Sequence, residues 1–349
     1  MNPSNGFTFG SWNAGSRTGD YTQLIRDRIG ATDKSPNFSG LMPSNPDDQA
    51  MVDSIGKVRD KLLGETAKDL ARAADVYALQ EVSGDDRADI KAFKSSGFEI
   101  IRPPKKNPLY ASETDTAIAI NPAKFKNIEN RSFNDTASGR DFAVAVAVEK
   151  ATGRKIAFIS GHIAGFDLEA EKQIREEQAA DGDGDIANMI ATLKNICSDC
   201  DSVMIGFDTN AIPEIYKKRF QLLTDAGFQL YRTGSPTSNM SRNSRDETAK
   251  LQERELDYIF VKNKKPSGFF NFLRNLFKNK DVYIIKKDVY VTKLIRDNTS
   301  LSLDPISSPS DHIPVFVRVE KLQRKTPVNG SPGIFDNLRN RVRKFFQTK

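Results

Sequence analysis

Cysteine is scarce in this chain of 349 residues: Cys197 and Cys200 form a lone Cys-x-x-Cys. A structural zinc site takes about four ligands, and no second Cys or His pair lies at metal spacing nearby, which argues against a zinc site. Two ordinary thiols in a turn between a helix and a strand is the simpler reading, and a redox pair is the alternative. So few cysteines fit a reducing compartment. Histidine is equally scarce, with only His162 and His312. No apolar run approaches the roughly 20 residues that span a bilayer. Met1 to Asn13 has no basic segment followed by an apolar one, so no secretory signal is expected, and Phe7-Thr8-Phe9-Gly10-Ser11-Trp12-Asn13 reads as a strand instead.

What is present is apolar residue enough for a sizeable core, a high charged content and a net charge of +6. That basic balance favours a polyanionic partner, either nucleic acid or an acidic membrane surface.

The chain reads as alternating strands and helices. Strands are expected at Phe7–Asn13, Val76–Gln80, Phe98–Arg102, Thr116–Ile120, Phe142–Val148, Ile156–His162, Ser202–Phe207, Leu256–Val261, Val282–Val291 and Pro314–Val319. Several are rich in β-branched or aromatic residues, with Gly, Pro, Asn or Asp at their ends. Helical periodicity marks Tyr21–Ile29, Asp47–Ala73, Leu168–Ala179 and Asp185–Ile196. This order implies two packed sheets flanked by helices, an α/β (α+β) protein, with no internal repeat visible. Ser16–Asp48 reads as a loop over one end. Lys262–Lys280 is a basic, aromatic insert, and a Pro/Gly/Ser linker leads into the basic tail Ile334–Lys349.

Polar residues gather at the strand ends: Trp12-Asn13, Gln80-Glu81, Gly161-His162, Asp208-Thr209-Asn210, Leu256-Asp257 and Ser310-Asp311-His312. Loops over a rigid scaffold are where sites are built. Mg²⁺ is a hard cation held by a few carboxylates and waters, and it polarises phosphoryl oxygens. An attacking water needs a carboxylate or imidazole to orient and deprotonate it, and developing anionic charge needs donors such as Asn and protonated His.

In this order and spacing the motifs resemble the endonuclease/exonuclease/phosphatase superfamily, the DNase I-like fold, over about Phe7 to Glu320. Each motif is weak alone and the set is specific; both histidines fall on motif positions. The resemblance implies a four-layer αββα sandwich of two mixed β-sheets, a catalytic domain over residues 1–320 and a linker and tail over 321–349. It implies a monomeric phosphoric ester hydrolase using Mg²⁺, with Mn²⁺ as the alternative. Glu81, Asn13 and Asp311 would surround the metal. Asp208 would hold or activate the water, and Asn210 would orient the phosphate. His312, steadied by Asp257, would bind or protonate phosphoryl oxygens or act as base, and His162 would donate to the phosphate or leaving group. Arg140 looks like a phosphate-contacting Arg of DNase-like members; a solvated loop Arg is the competing reading. Two positions depart from the pattern. Gly15 stands where many members have a second Asn or Asp, and Phe207 stands where a Gly commonly precedes the aspartate.

Singly, Glu81 could be an ordinary strand-end carboxylate, His162 a core histidine, and Asp208 and Asn210 turn caps; their joint order favours the site. The run Asp181-Gly-Asp-Gly-Asp185 is not an EF-hand loop, because Ile186 and Thr192 occupy its Gly and Glu positions. A turn followed by a helix cap is expected there.

His162 is more like the DNase, lipid phosphatase and sphingomyelinase branches than the abasic-site nucleases. In the insert, Phe269, Phe272, Leu273, Leu276 and Phe277 share one helical face beside Lys262, Lys264 and Lys265, and with Phe270 they are the expected membrane-contact residues. Bacterial sphingomyelinases carry their membrane-contact hairpin in the same interval. The tail repeats the pattern with Ile334, Leu338, Val342 and Phe345 among arginines. Such helices lie in anionic interfaces; packing on the core is the alternative. These features favour a phosphorylated lipid or anionic membrane surface as partner, of phosphoinositide or sphingomyelin type. A DNase- or RNase-like nuclease acting on nucleic acid is the alternative. They imply a cytoplasmic protein with peripheral membrane association, and delivery as a bacterial effector stays open.

Overall fold

The computed structural model describes residues 6–15, 46–82, 84–104, 115–134, 140–163, 172–214, 216–239, 253–264, 283–291, 310 and 312–321, with side chains left out at 46–55, 172–179, 239, 253–254, 283–291 and 320–321. The strands run β1 (Gly6–Asn13), β2 (Val76–Gln80), β3 (Glu99–Ile101), β4 (Thr116–Ile120), β5 (Phe125–Asn130), β6 (Phe142–Glu149) and β7 (Lys155–His162). They continue with β8 (Ser202–Asp208), β9 (Gln229–Tyr231), β10 (Ser238–Asn239), β11 (Glu253–Arg254), β12 (Asp257–Asn263), β13 (Tyr283–Val291) and β14 (Val315–Lys321). The helices are α1 (Pro46–Ala73), α2 (Ala88–Ser95), α3 (Lys172–Ile196) and α4 (Lys217–Asp225).

Two six-stranded sheets form, in the orders β13-β14-β1-β2-β4-β3 and β5-β6-β7-β8-β12-β9. Each is built round one parallel pair, β1 with β2 and β7 with β8, and every other pairing in them is antiparallel. A parallel pair requires a crossover, and α1 and α3 supply it. The two sheets thus share one pattern of parallel and antiparallel pairing, although the sequence shows no repeat.

Three apolar layers hold the stack together, which makes it the expected four-layer sandwich. Phe7, Phe9, Val76 and Ile118 meet Ala145, Phe158, Met204 and Ile259 between the sheets. Leu63, Leu70, Ile90 and Phe93 cover Tyr77 and Leu79 on one outer face. Ile186, Met189, Leu193 and Phe220 cover Ile159, Ile205 and Phe260 on the other. The period-2 alternation of strand side chains assigns each strand's two faces to different layers.

The expected strands are present with small shifts at their ends. β5 (Phe-Lys-Asn-Ile-Glu-Asn) is not legible because it is mostly exposed and polar, and β9, β10 and β11 are too short, at three, two and two residues. α2 and α4 are too short for a clear period. One expectation is corrected. Asp181-Gly-Asp-Gly-Asp185 is no turn, but lies inside α3, which joins the two expected helical stretches from Lys172 onward. Each interior Gly costs about 1 kcal/mol in a helix, and burial of Ile186, Met189 and Leu193 against the sheet outweighs it. Cys197 and Cys200 are buried, with the Cys200 N–H donating to Cys197 O in the turn after α3, as expected. Tyr21–Ile29, the insert residues Phe269, Phe270, Phe272, Leu273, Leu276 and Phe277, and the tail from 322 lie outside the described residues.

Candidate active site

Inward-facing side chains are apolar along most of each central strand and turn polar at one edge. On β1 the inward series is Phe7, Phe9, Ser11, Asn13; on β7 it is Ile156, Phe158, Ser160, His162; on β8 it ends Met204, Gly206, Asp208. The site is therefore the continuation of the inter-sheet face past its apolar core, at the carboxyl ends of both parallel pairs, where open α/β sheets bind ligands. β12 runs antiparallel to β8, so its first residue, Asp257, lies opposite Asp208, which lies opposite His162.

Beneath the site the sheets are bolted by buried polar groups. Gln80 Nε2 donates to Ser160 Oγ (3.0 Å) and Gly206 O (3.2 Å), and Ser160 Oγ donates to Leu79 O (2.7 Å). Gly206 is required there: a Cβ would lie 2.6 Å from Ala78 Cβ and 2.7 Å from Ser11 Oγ.

Strict alternation would send Glu81 outward with Tyr77 and Leu79. Its φ of 53° turns the chain instead, and Glu81 Oε1 accepts from Asn13 Nδ2 at 3.0 Å. The same Nδ2 donates to Asp208 Oδ2 at 2.8 Å. Asn210 also has a left-handed φ, 45°. Its N–H donates to Asp208 Oδ1 (3.0 Å), and its Nδ2 donates to Ile163 O (3.1 Å).

Two histidine–carboxylate pairs converge on Asp208. His162 Nδ1 lies 2.6 Å from Asp115 Oδ2, and His312 Nδ1 lies 2.8 Å from Asp257 Oδ2. Each carboxylate makes Nδ1 the N–H donor and aims Nε2 into the site. There the His162 and His312 Nε2 atoms stand 3.6 and 3.8 Å from Asp208 Oδ2. Arg140 Nη1 donates to Asp115 Oδ2 at 3.0 Å, on the carboxylate that pairs with His162. Ser238 Oγ is 3.3 Å from His312 Nε2. Ser310 Oγ accepts from the His312 N–H (3.1 Å) and donates to Asn13 O (2.7 Å).

Burial opposes a charge on His162, but the charge and hydrogen bond of Asp115, then Asp208 and Glu81, outweigh it and raise its pKa to about 9. Burial lifts the Asp257 carboxyl above its ordinary range, Asp208 pushes the same way, and His312 opposes.

The carboxylates of Glu81 and Asp208 are oxygen donors that suit a divalent cation, and histidines stand beside them. Glu81, His162 and Asp208 offer atoms within 4.8 Å of one another, as do Asp208, Asp257 and His312. Asn13 Nδ2 here bridges two carboxylates as a cation would. To serve as a ligand Asn13 would present Oδ1, which now accepts from the Gly15 N–H at 2.9 Å.

Of the residues expected from the sequence, Asn13, Glu81, Arg140, His162, Asp208, Asn210, Asp257 and His312 are brought together, and Asp311 lies outside the described residues. Sequence reasoning missed Asp115, Ser238 and Ser310, and the arginines behind the turns. Asp115 carried a usable signal, since it precedes β4, whose first residue Thr116 pairs with Gln80 at the same edge. Arg59 donates to Ala14 O at 3.3 Å and to Gly15 O, across a separation no local pattern reveals.

Solved structures share this architecture at low identity. The human Nocturnin catalytic domain with bound sulfate anion aligns over 92% of this chain and 97% of its own, at 14% identity and a TM-score of 0.52. An endonuclease/exonuclease/phosphatase from Bacteroides vulgatus aligns over 90% and 99%, at 13% identity and a TM-score of 0.54. D. rerio TDP2 complexed with single strand DNA product aligns over 90% and 98%, at 15% identity and a TM-score of 0.50. No family model and no curated protein matches the sequence. The fold is that of the endonuclease/exonuclease/phosphatase proteins, as the sequence motifs imply.

Proposed function

We propose that the chain is a metal-dependent phosphoester hydrolase. The observation that carries this is the convergence on Asp208 of two histidine–carboxylate pairs and of the Asn13 amide that also holds Glu81. A divalent cation, when bound, polarises the phosphoryl group and stabilises the leaving oxygen. Glu81 and Asn13 would hold it, with Asp311 as the further ligand expected from the sequence. Asp208 would orient and deprotonate the attacking water. His312, fixed by Asp257, and His162, fixed by Asp115, would donate Nε2–H to phosphoryl oxygens or the leaving group. Asn210 and Arg140 would bind the remaining oxygens.

The substrate we propose is a phosphorylated lipid headgroup, supported by the Phe-rich basic insert and the basic amphipathic tail. A nuclease reading is supported by the net charge of +6 and by the likeness to a TDP2 structure holding single-stranded DNA product. Turnover of phosphoinositide and sphingomyelin vesicles, single-stranded DNA and RNA, each with Mg²⁺ and with EDTA, separates them. The proposal expects Mg²⁺-dependent release from one lipid class. Nucleic-acid cleavage without lipid hydrolysis would overturn the lipid reading, and no turnover on any of them would overturn the enzyme.

A further inference from the structure

Glu81 and Asn210 follow the second strand of each parallel pair, and both sit in left-handed turns. That conformation costs about 1–2 kcal/mol for a residue such as Glu81 and less for Asn, which visits it more readily, and one group stands behind each turn. In each sheet it is an arginine from the helix side. Arg87, at the start of α2, donates Nη1 to Glu81 O at 2.7 Å and to Gly15 O at 3.1 Å. Its other edge grips the fully buried Asp89 bidentately, at 3.1 and 2.8 Å. Arg219 of α4, itself 1% exposed, donates Nη1 to Thr209 O at 2.6 Å, on the peptide bond that enters Asn210. Its Nε faces Asp183 Oδ1 at 3.4 Å. Asp183 belongs to the Asp-Gly-Asp-Gly-Asp run inside α3, which acquires a purpose as acidic backing for this arginine.

We propose that Arg87 and Arg219 are paired positioning residues, one per sheet, that clamp the left-handed turns presenting Glu81 on one side and Asp208 and Asn210 on the other. Neither touches substrate; each acts through a backbone carbonyl. A guanidinium suits this task because its planar fork spans a carbonyl and a carboxylate at once. The inference rests on the hydrolase reading for its purpose, and on the turn geometry for its substance.

The two effects of removing such an arginine on cation affinity have opposite signs. Deleting a positive charge near a cation site tightens cation binding by electrostatics alone. Loosening the turn that presents Glu81 or Asp208 weakens it. Mn²⁺ affinity of the full chain, measured by calorimetry or electron spin resonance on Arg87→Met and Arg219→Met, therefore reads positioning directly. Arg131→Met serves as the control, since Arg131 pairs with Glu129 and Asp199 away from the site. We expect Mn²⁺ binding weakened about tenfold in both variants and within twofold of wild type in the control. Should a Met variant not fold, Arg87→Lys and Arg219→Lys, which keep the charge and a single donor nitrogen in place of the fork, are expected to weaken binding by a smaller factor. Unchanged or tighter binding in the folded variants overturns the clamp, as does a wild type that binds no Mn²⁺. A wild type that binds Mn²⁺ but hydrolyses no phosphoester overturns the hydrolase reading alone.

Discussion

Asn13 and Asp208 join the two sheets at the site: Nδ2 at the end of β1 donates to Oδ2 at the end of β8 at 2.8 Å. The amide thereby separates two carboxylates, since it also donates to Glu81. Asn13→Ala removes the amide that donates to both carboxylates; Asp208 keeps the Asn210 N–H, and His162 Nε2 stands farther from both. Removing a hydrogen bond to buried charge is worth about 1.5–3 kcal/mol, and urea melts of metal-free protein should show that loss. Saturating Mg²⁺ should recover part of it. An unchanged midpoint would mean that the bridge carries no stability.

His162 makes the metal-free protein sensitive to mild alkali. Its folded pKa, about 9, lies above the ordinary 6.5. The proton-bound pair with Asp115 therefore contributes its full stability below pH 6.5 and loses it as the pH rises through 9. Urea midpoints in EDTA should fall across that window in wild type, and His162→Gln should flatten the fall. A wild-type midpoint that is level from pH 6.5 to 9 would contradict the pairing.

Gly206 tests how closely the sheets must approach behind the site. Gly206→Ala places a methyl 2.6 Å from Ala78 Cβ, so the sheets must part. Overpacking of this kind costs about 1–3 kcal/mol. Because Asp208 lies two residues on, turnover should fall more than stability alone accounts for. Wild-type turnover at full occupancy of the folded state would show that the approach is not needed.

Much of this was legible in the chain. The interspersed strands and helices imply two packed sheets, and the polar residues at the strand ends, in the order that resembles the endonuclease/exonuclease/phosphatase superfamily, imply the sandwich and most of the site. Glu81 is expected at the site from its motif; strict alternation would face it outward, and a left-handed backbone turn brings it in. Asp115 had only its place before β4 to mark it, whereas Ser238 escaped because nothing in its neighbourhood names the histidine it meets, 74 residues away. The arginine clamps escaped for the same reason. The helical run through Asp181–Asp185 was obscured by local glycine propensity, which packing overrides.

The most direct test of the whole account is hydrolysis of bis(p-nitrophenyl) phosphate by wild type, Glu81→Ala and Asp208→Asn, with Mg²⁺ and with EDTA. The account predicts Mg²⁺-dependent release of nitrophenolate by wild type, abolished by EDTA, and reduced at least 100-fold in both folded variants. Turnover that survives EDTA, or that Glu81→Ala and Asp208→Asn leave intact, would contradict it.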